Sequence, residues 1–152
     1  MSKSKIKIRD GKAEDLPAAH RLVGELARYV DELPSFVATI DDYRDDFADG
    51  FFRMLVVDDI DRDEVIGLAL YNFHYSTWKG RMIYLEDLVI DPAYRRQGIG
   101  QILWNALEEK GREKGCKLLK WQVVETNTAA IKFYEAQNAI IEKDWYNGKI
   151  EL

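Results

Sequence analysis

The chain has 152 residues, 47% of them hydrophobic, enough for one globular domain with a substantial core. A net charge of −5 disfavours a general nucleic-acid binder, and no apolar run approaches the length needed to span a membrane. The one cysteine, Cys116, permits no internal disulfide and reads as an inert, buried thiol; with His20 and His74 it shares no metal-binding spacing, so no metal is expected.

Met1 to Lys5 lead into no apolar signal segment, so the expected location is cytoplasmic. Ile6 and Ile8 alternate with Lys5, Lys7 and Arg9 as a first strand. Glu14-Asp15 ahead of Pro17 mark a helix start, and Leu16, Ala19, Leu22, Val23, Leu26 and Val30 trace its buried face. Leu33-Pro34-Ser35 breaks that helix. A second runs from about Asp41 to Asp49, with Tyr43 and Phe47 inward and Gly50 as its stop.

Three strands follow, Phe52 to Val57, Val65 to Tyr75 and Arg81 to Ile90, separated by Asp58–Asp63 and by Ser76-Thr77-Trp78-Lys79-Gly80. They predict an antiparallel meander. Leu118, Leu119, Trp121, Val123 and Val124 form a fifth strand, parallel to the Arg81–Ile90 strand because a helical crossover joins the two. A last helix spans roughly Thr128 to Gln137 with Asn127 as N-cap, and Asn147-Gly148 signals a terminal hairpin ending in a strand from Lys149 to Leu152. The fold class is therefore α+β, a mixed and largely antiparallel sheet flanked by helices.

The informative stretch is Leu85 to Lys114. An apolar run interrupted by Glu86 and Asp87 ends at Asp91-Pro92, and Arg95-Arg96-Gln97-Gly98-Ile99-Gly100 then opens an amphipathic helix closed by Gly115. Such a turn aims free backbone N–H groups and the positive end of a helix dipole at one anion, with two arginines alongside. A diphosphate suits it better than a lone carboxylate. It lacks the Gly-Lys-Ser/Thr ending of a P-loop and the three-glycine dinucleotide fingerprint. Acids crowd Asp31 to Asp49 and Asp58 to Glu64, whereas Arg95, Arg96, Lys110, Arg112, Lys114, Lys117 and Lys120 come later. An anionic cofactor with a cationic substrate would use that polarity, and a solvated charged surface would also account for it.

The turn Arg95-x-x-Gly98-x-Gly100 after a strand resembles motif A of the GNAT N-acetyltransferases, and the order of elements matches that superfamily along nearly the whole chain. Tyr84-Leu85-Glu86-Asp87, Tyr94 through Gly100, Asn127 with Phe133-Tyr134, Glu25 to Tyr29 and Trp145 are similar to its diamine branch, the spermidine/spermine and thialysine N-acetyltransferases. The resemblance implies acetyl transfer from acetyl-CoA to a primary amine of a small cation (a diamine, polyamine or lysine-like molecule) in a ternary complex. Acetylation of a protein or peptide, or a non-catalytic CoA-binding sensor, are the alternatives.

By the same resemblance, Leu88, Val89 and Ile90 pair with the pantetheine arm. Backbone N–H groups from Arg96, Gln97, Gly98, Ile99, Gly100 and Gln101 hold the pyrophosphate, Arg95 adds positive charge beside them, and Asn127, Ala130 and Phe133 complete the cofactor site. Glu86 is the candidate proton acceptor, with Asp87 as a second acid; an ion-paired structural carboxylate is the other reading of Glu86. Tyr134 is the candidate donor to the departing thiolate, although on residue type alone it reads as core. Tyr29, Trp78 and Trp145 offer aromatic faces to the amine, or serve as core or interface residues. Ser76-Thr77-Trp78 replaces the family's Asp-Pro-Trp, which removes one acidic contact and favours a shorter cation over spermidine or spermine. The expected partners are the amine and a second copy of the chain, with neither nucleic acid nor membrane.

Overall fold

A computed structural model describes residues 4–152; Met1 to Lys3, where the reading of the terminus begins, lie outside the described residues. The chain divides into two compact units, one ending at Gln122 and one running from Val123 to Leu152.

The first unit is built on a five-stranded sheet in the order β1-β2-β3-β4-β5. These strands are β1 Ile6–Asp10, β2 Arg53–Asp59, β3 Glu64–Ser76, β4 Gly80–Ile90 and β5 Leu118–Trp121. The first four form the antiparallel meander, and β5 lies parallel to β4 because α3 (Ile99–Glu113) carries the chain back across the sheet. The fifth strand stops at Trp121, so Val123 and Val124 fall outside it.

Two helices, α1 (Leu16–Tyr29) and α2 (Ile40–Ala48), cover one face. Leu16, Ala19 and Leu22 of α1 meet Met54 and Val56 of β2, Leu68 and Leu70 of β3 and Val89 of β4, and Tyr43 and Phe47 of α2 pack against this core. At the start of α2, Thr39 accepts the Asp42 N–H while Asp42 accepts that of Thr39, a reciprocal cap for a helix otherwise crowded with acids. The other face belongs to α3, where Gly111 sits so close to Ile83 of β4 that an added Cβ would lie 3.3 Å from its Cγ2. Arg9 ties β1 to both neighbours, donating to Asp15 at 2.7 and 2.9 Å and to Asp58 at 2.6 and 3.1 Å. Its hydrogen bonds hold the Asp15 carboxyl below the usual aspartate range.

The second unit contains α4 (Thr128–Ala136), capped by the Asn127 side chain, which accepts the Ala130 N–H at 3.3 Å. The expected terminal hairpin is absent: none of residues 139–152 lies in a strand, and Ile140 and Ile150 are each 87% exposed. Glu142-Lys143-Asp144 interrupts the apolar alternation, and two strands alone bury too little surface to hold together in water. No helix among the described residues is long and apolar enough to cross a membrane.

Candidate functional site

The register of β3 against β4 decides which acid faces inward. Leu70 pairs with Asp87, but the next residue, Tyr71, pairs with Leu85, so Glu86 is an extra residue on β4. This is a β-bulge, which reverses the alternation of side chains along the strand. Before it, Tyr84 shares the α1/α2 face with Asn72; after it, Asp87 shares that face with Leu70 and Val89 with Leu68. Without the bulge Glu86 would have faced inward. Instead Glu86, the candidate proton acceptor, is exposed and Asp87, the second acid, is half-buried.

Burial first, and the neighbouring charge of Glu86 second, push the Asp87 carboxyl up to about 6. Two phenols share its surroundings. Tyr43 of α2 is pushed up to about 12 by burial and then by the charges of Asp87 and Glu86. Tyr84 is raised by burial and by the same pair of acids. Both phenols therefore keep their protons throughout the neutral range. Tyr43 is wedged between His20 (5.0 Å) and Phe52 (5.6 Å), and the ring of Tyr84 is stacked 5.1 Å from that of His74. The inward position of Tyr43 follows from helical periodicity, but its place beside the acids does not, because that depends on where α2 docks.

The bulge also marks the end of the β4–β5 ladder. The last pair is Leu85 with Trp121, so no residue of β5 pairs with Leu88, Val89 or Ile90. That edge of β4 has backbone groups of the kind an extended amide-bearing arm can pair with.

Beyond Ile90 the chain makes a short 3-10 turn at Pro92–Tyr94, where the Asp91 side chain accepts the Ala93 N–H. The hydroxyl of buried Tyr94 then donates to Asp59 Oδ2 at 2.6 Å, pinning the turn to the end of β2. Arg96 has φ 63° and Gly98 φ 75°, both left-handed, and this folds the backbone into a cradle ahead of α3. A Cβ on Gly98 or Gly100 would meet nothing within 4 Å, so the space before the helix is open. The N–H groups of Ile99 and Gly100 belong to the first helical turn, which has no intrahelical acceptors. Gln97 Oε1 accepts the Ser4 N–H at 3.1 Å, which ties the cradle to the segment before β1. These features fit a diphosphate.

The guanidinium of Arg95 lies 5.4 Å from the centre of the Tyr29 ring. The cation that Tyr29 faces is thus one of the chain's own, and the contact draws the end of α1 to the cradle. Trp78 is 83% exposed in the β3–β4 turn. In the second unit Tyr134 is buried, with Phe133 edge-on at 5.7 Å; Ala130 and Phe133 are half-buried and Trp145 is exposed. Asn127 is engaged as a cap.

Residues 18–139 match the model of the Acetyltransferase (GNAT) family. The chain is 36% identical over 143 residues to a thialysine N-epsilon-acetyltransferase of Bos taurus, covering 88% of this chain and 84% of that protein. It is 31% identical to one from Caenorhabditis elegans, covering 86% and 82%. A human spermidine/spermine N(1)-acetyltransferase-like protein 1 is 32% identical over 91% of this chain and 21% of its own length. Among solved structures, a possible acetyltransferase from Clostridium difficile 630 superposes with a TM-score of 0.78 at 21% identity, over 97% of each chain.

Proposed function

From its membership of the GNAT family, and hence its nature as an acetyl-transfer enzyme, we propose that the acceptor of this chain is a primary amine on a small cation of the lysine-like or diamine class. The observation that carries this reading is the acid pair at the bulge: Asp87 half-buried with its carboxyl raised to about 6, Glu86 exposed beside it, and two protonated phenols around them. Two carboxylates on adjacent residues attract an ammonium group and would repel an anionic acceptor. The names of the relatives, thialysine and spermidine/spermine acetyltransferases, support the same substrate class.

An alkylammonium, with a pKa of about 10.4, has no lone pair until it sheds a proton. Asp87 is ionised at pH 7, so it binds the cation, and with its raised pKa it accepts the proton better than an ordinary aspartate does. Glu86, at the solvent side of the bulge, supplies a second charge and a route for the proton to water. The hydroxyls of Tyr43 and Tyr84 remain protonated donors that orient the acids or the acceptor nitrogen. Acetyl-CoA, the cosubstrate of the family, supplies the acetyl group as a thioester.

The cradle from Arg95 to Gln101 and the open edge at Leu88 to Ile90 are the groups that would hold its pyrophosphate and pantetheine. Asn127, Ala130 and Phe133 keep the cofactor roles that the family resemblance implies. Tyr134 is our proton donor to the departing thiolate, because a phenol and a thiol have comparable acidity.

The test is release of free CoA thiol from acetyl-CoA with thialysine, lysine, putrescine, spermidine, spermine and a short peptide as acceptors. Turnover with one of the small amines, reduced about 10² to 10⁴-fold in Asp87→Asn, supports the proposal. Turnover with the peptide alone, or tight acetyl-CoA binding with no turnover on the panel, sinks it.

A further inference from the structure

The end of the sheet remote from the cradle holds a second pocket of about 200 Å³, lined by Arg53, Phe73, His74, Arg81, Lys114 and Cys116. Cross-strand pairing places Arg53 opposite Tyr71, Phe73 opposite Ile83 and Arg81 opposite Tyr75, which sets all three cross-strand pairs on the face covered by α3. The acid pair's partners Tyr43 and Tyr84 are on the other face. The cradle lies at the N-terminus of α3 and Lys114 just past its C-terminus, about 22 Å away along a helix of this length.

Three cations line this pocket, none of them in an ion pair among the described residues. Arg9, Arg21, Lys110 and Arg112 each pair with a carboxylate, whereas among the described residues no carboxylate pairs with Arg53, Arg81 or Lys114. Arg81 has a structural task, donating to the carbonyl of Lys114 at 3.1 Å beyond the last turn of α3. Arg53 lies 5.3 Å from the Phe73 ring, which steadies its stem. In a chain of net charge −5, three like charges around one concavity repel one another and create a local field that an anion would relieve.

We propose that this pocket is a second anion site, which takes a compact oxyanion, phosphate or carboxylate, on a body of few atoms. Its volume falls below the roughly 300–1,000 Å³ of pockets that enclose drug-sized ligands, so a nucleotide does not fit. Arg53 and Lys114 supply the charge, and Phe73 and Cys116 form the less polar wall. The site is independent of the acetyl-transfer reading and of the cradle.

Cys116 is the chain's single cysteine and half-buried in this wall, so its alkylation by neutral N-ethylmaleimide reports occupancy. Inorganic phosphate and malonate are titrated separately at constant ionic strength. The rate slows as one plus the ratio of anion concentration to Kd, about threefold when the anion is at twice its Kd. That protection is lost in the Arg53→Gln/Lys114→Gln variant and retained in Arg95→Gln/Arg96→Gln. Amide shifts of His74 and Cys116 in heteronuclear NMR spectra give the same reading without relying on thiol reactivity. Absence of saturable protection and of shifts with both anions overturns the proposal. So does protection that survives in the Arg53/Lys114 variant or disappears in the Arg95/Arg96 variant. Protection by only one anion identifies which oxyanion the site takes.

Discussion

Asp87 stands opposite Leu70 across the β3–β4 ladder, on the face that α1 and α2 cover, because the bulge at Glu86 has turned it there. From that pairing follows the raised Asp87 carboxyl, and with it a double consequence for stability and activity. Its folded pKa, about 6, exceeds the ordinary aspartate value of 3.8, so ionising it works against folding: the cost is absent below pH 3.8, grows through the interval and is complete above pH 6. Asp87→Asn is expected to raise stability by about 3 kcal/mol at pH 7.5 and to leave it nearly unchanged at pH 3.5. In the same variant the acidic limb of the kcat/KM profile, centred near 6 in the wild type, disappears. Urea melts at both pH values and a pH–rate profile check the two halves. A variant less stable at pH 7.5 than the wild type would show that the burial of Asp87 carries no cost.

Tyr134→Phe removes the hydroxyl proposed as proton donor and little volume. The expectation is a fall in kcat of roughly 10² to 10⁴-fold with the KM for acetyl-CoA nearly unchanged. Steady-state kinetics with the best amine measures both. A kcat within twofold of wild type would remove Tyr134 from the mechanism.

Tyr94 anchors the cradle through Asp59 without lining it, so Tyr94→Phe should act on binding. The KM for acetyl-CoA rises about threefold to tenfold while kcat changes little, the scale of one lost hydrogen bond. An equal fall in kcat would mean that the anchor reaches the reacting groups.

Gly98 has φ 75° with open space where a Cβ would go, so Gly98→Ala tests conformation separately from crowding. A left-handed alanine costs about 1–2 kcal/mol. If the cradle relaxes to avoid it, acetyl-CoA affinity measured by calorimetry drops about tenfold. Unchanged affinity would show that the cradle tolerates the strain.

Arg9 holds Asp15 and Asp58 together at the start of α1, and Arg9→Leu strands both carboxylates. A loss of about 3 kcal/mol is expected at pH 7. Because Arg9 lowers the Asp15 pKa, the wild type's advantage is present above pH 3.8 and shrinks as the pH falls below it. Denaturation at pH 7 and pH 2.5 compares the two proteins.

Local order was legible in the sequence because its signals are local. Helical spacing from Ile99 to Lys110, the stop at Gly115, Asn127 as a cap and the glycine turn after Asp91-Pro92 each depend on a few consecutive residues, and each stands in the structure. The order of elements in the first unit then left one parallel crossover at β5 as the natural way to close the sheet. What neighbouring residues could not reveal was register. Strand alternation assigns Glu86 to the same face as Tyr84, and one extra residue in β4 reverses this; the bulge is set by pairing with β3, some 15 positions earlier in the chain. The docking of α2 brings Tyr43 beside the acids, and the end of α1 meets the cradle through Tyr29 and Arg95. The Asn147-Gly148 turn signal illustrates the converse, since a favourable local turn does not make a hairpin when too little apolar surface is buried to sustain its strands. Residue spacing determined which elements this protein has, and tertiary pairing decided which of two adjacent carboxylates is turned toward the core, because a single extra residue in a strand reverses its faces.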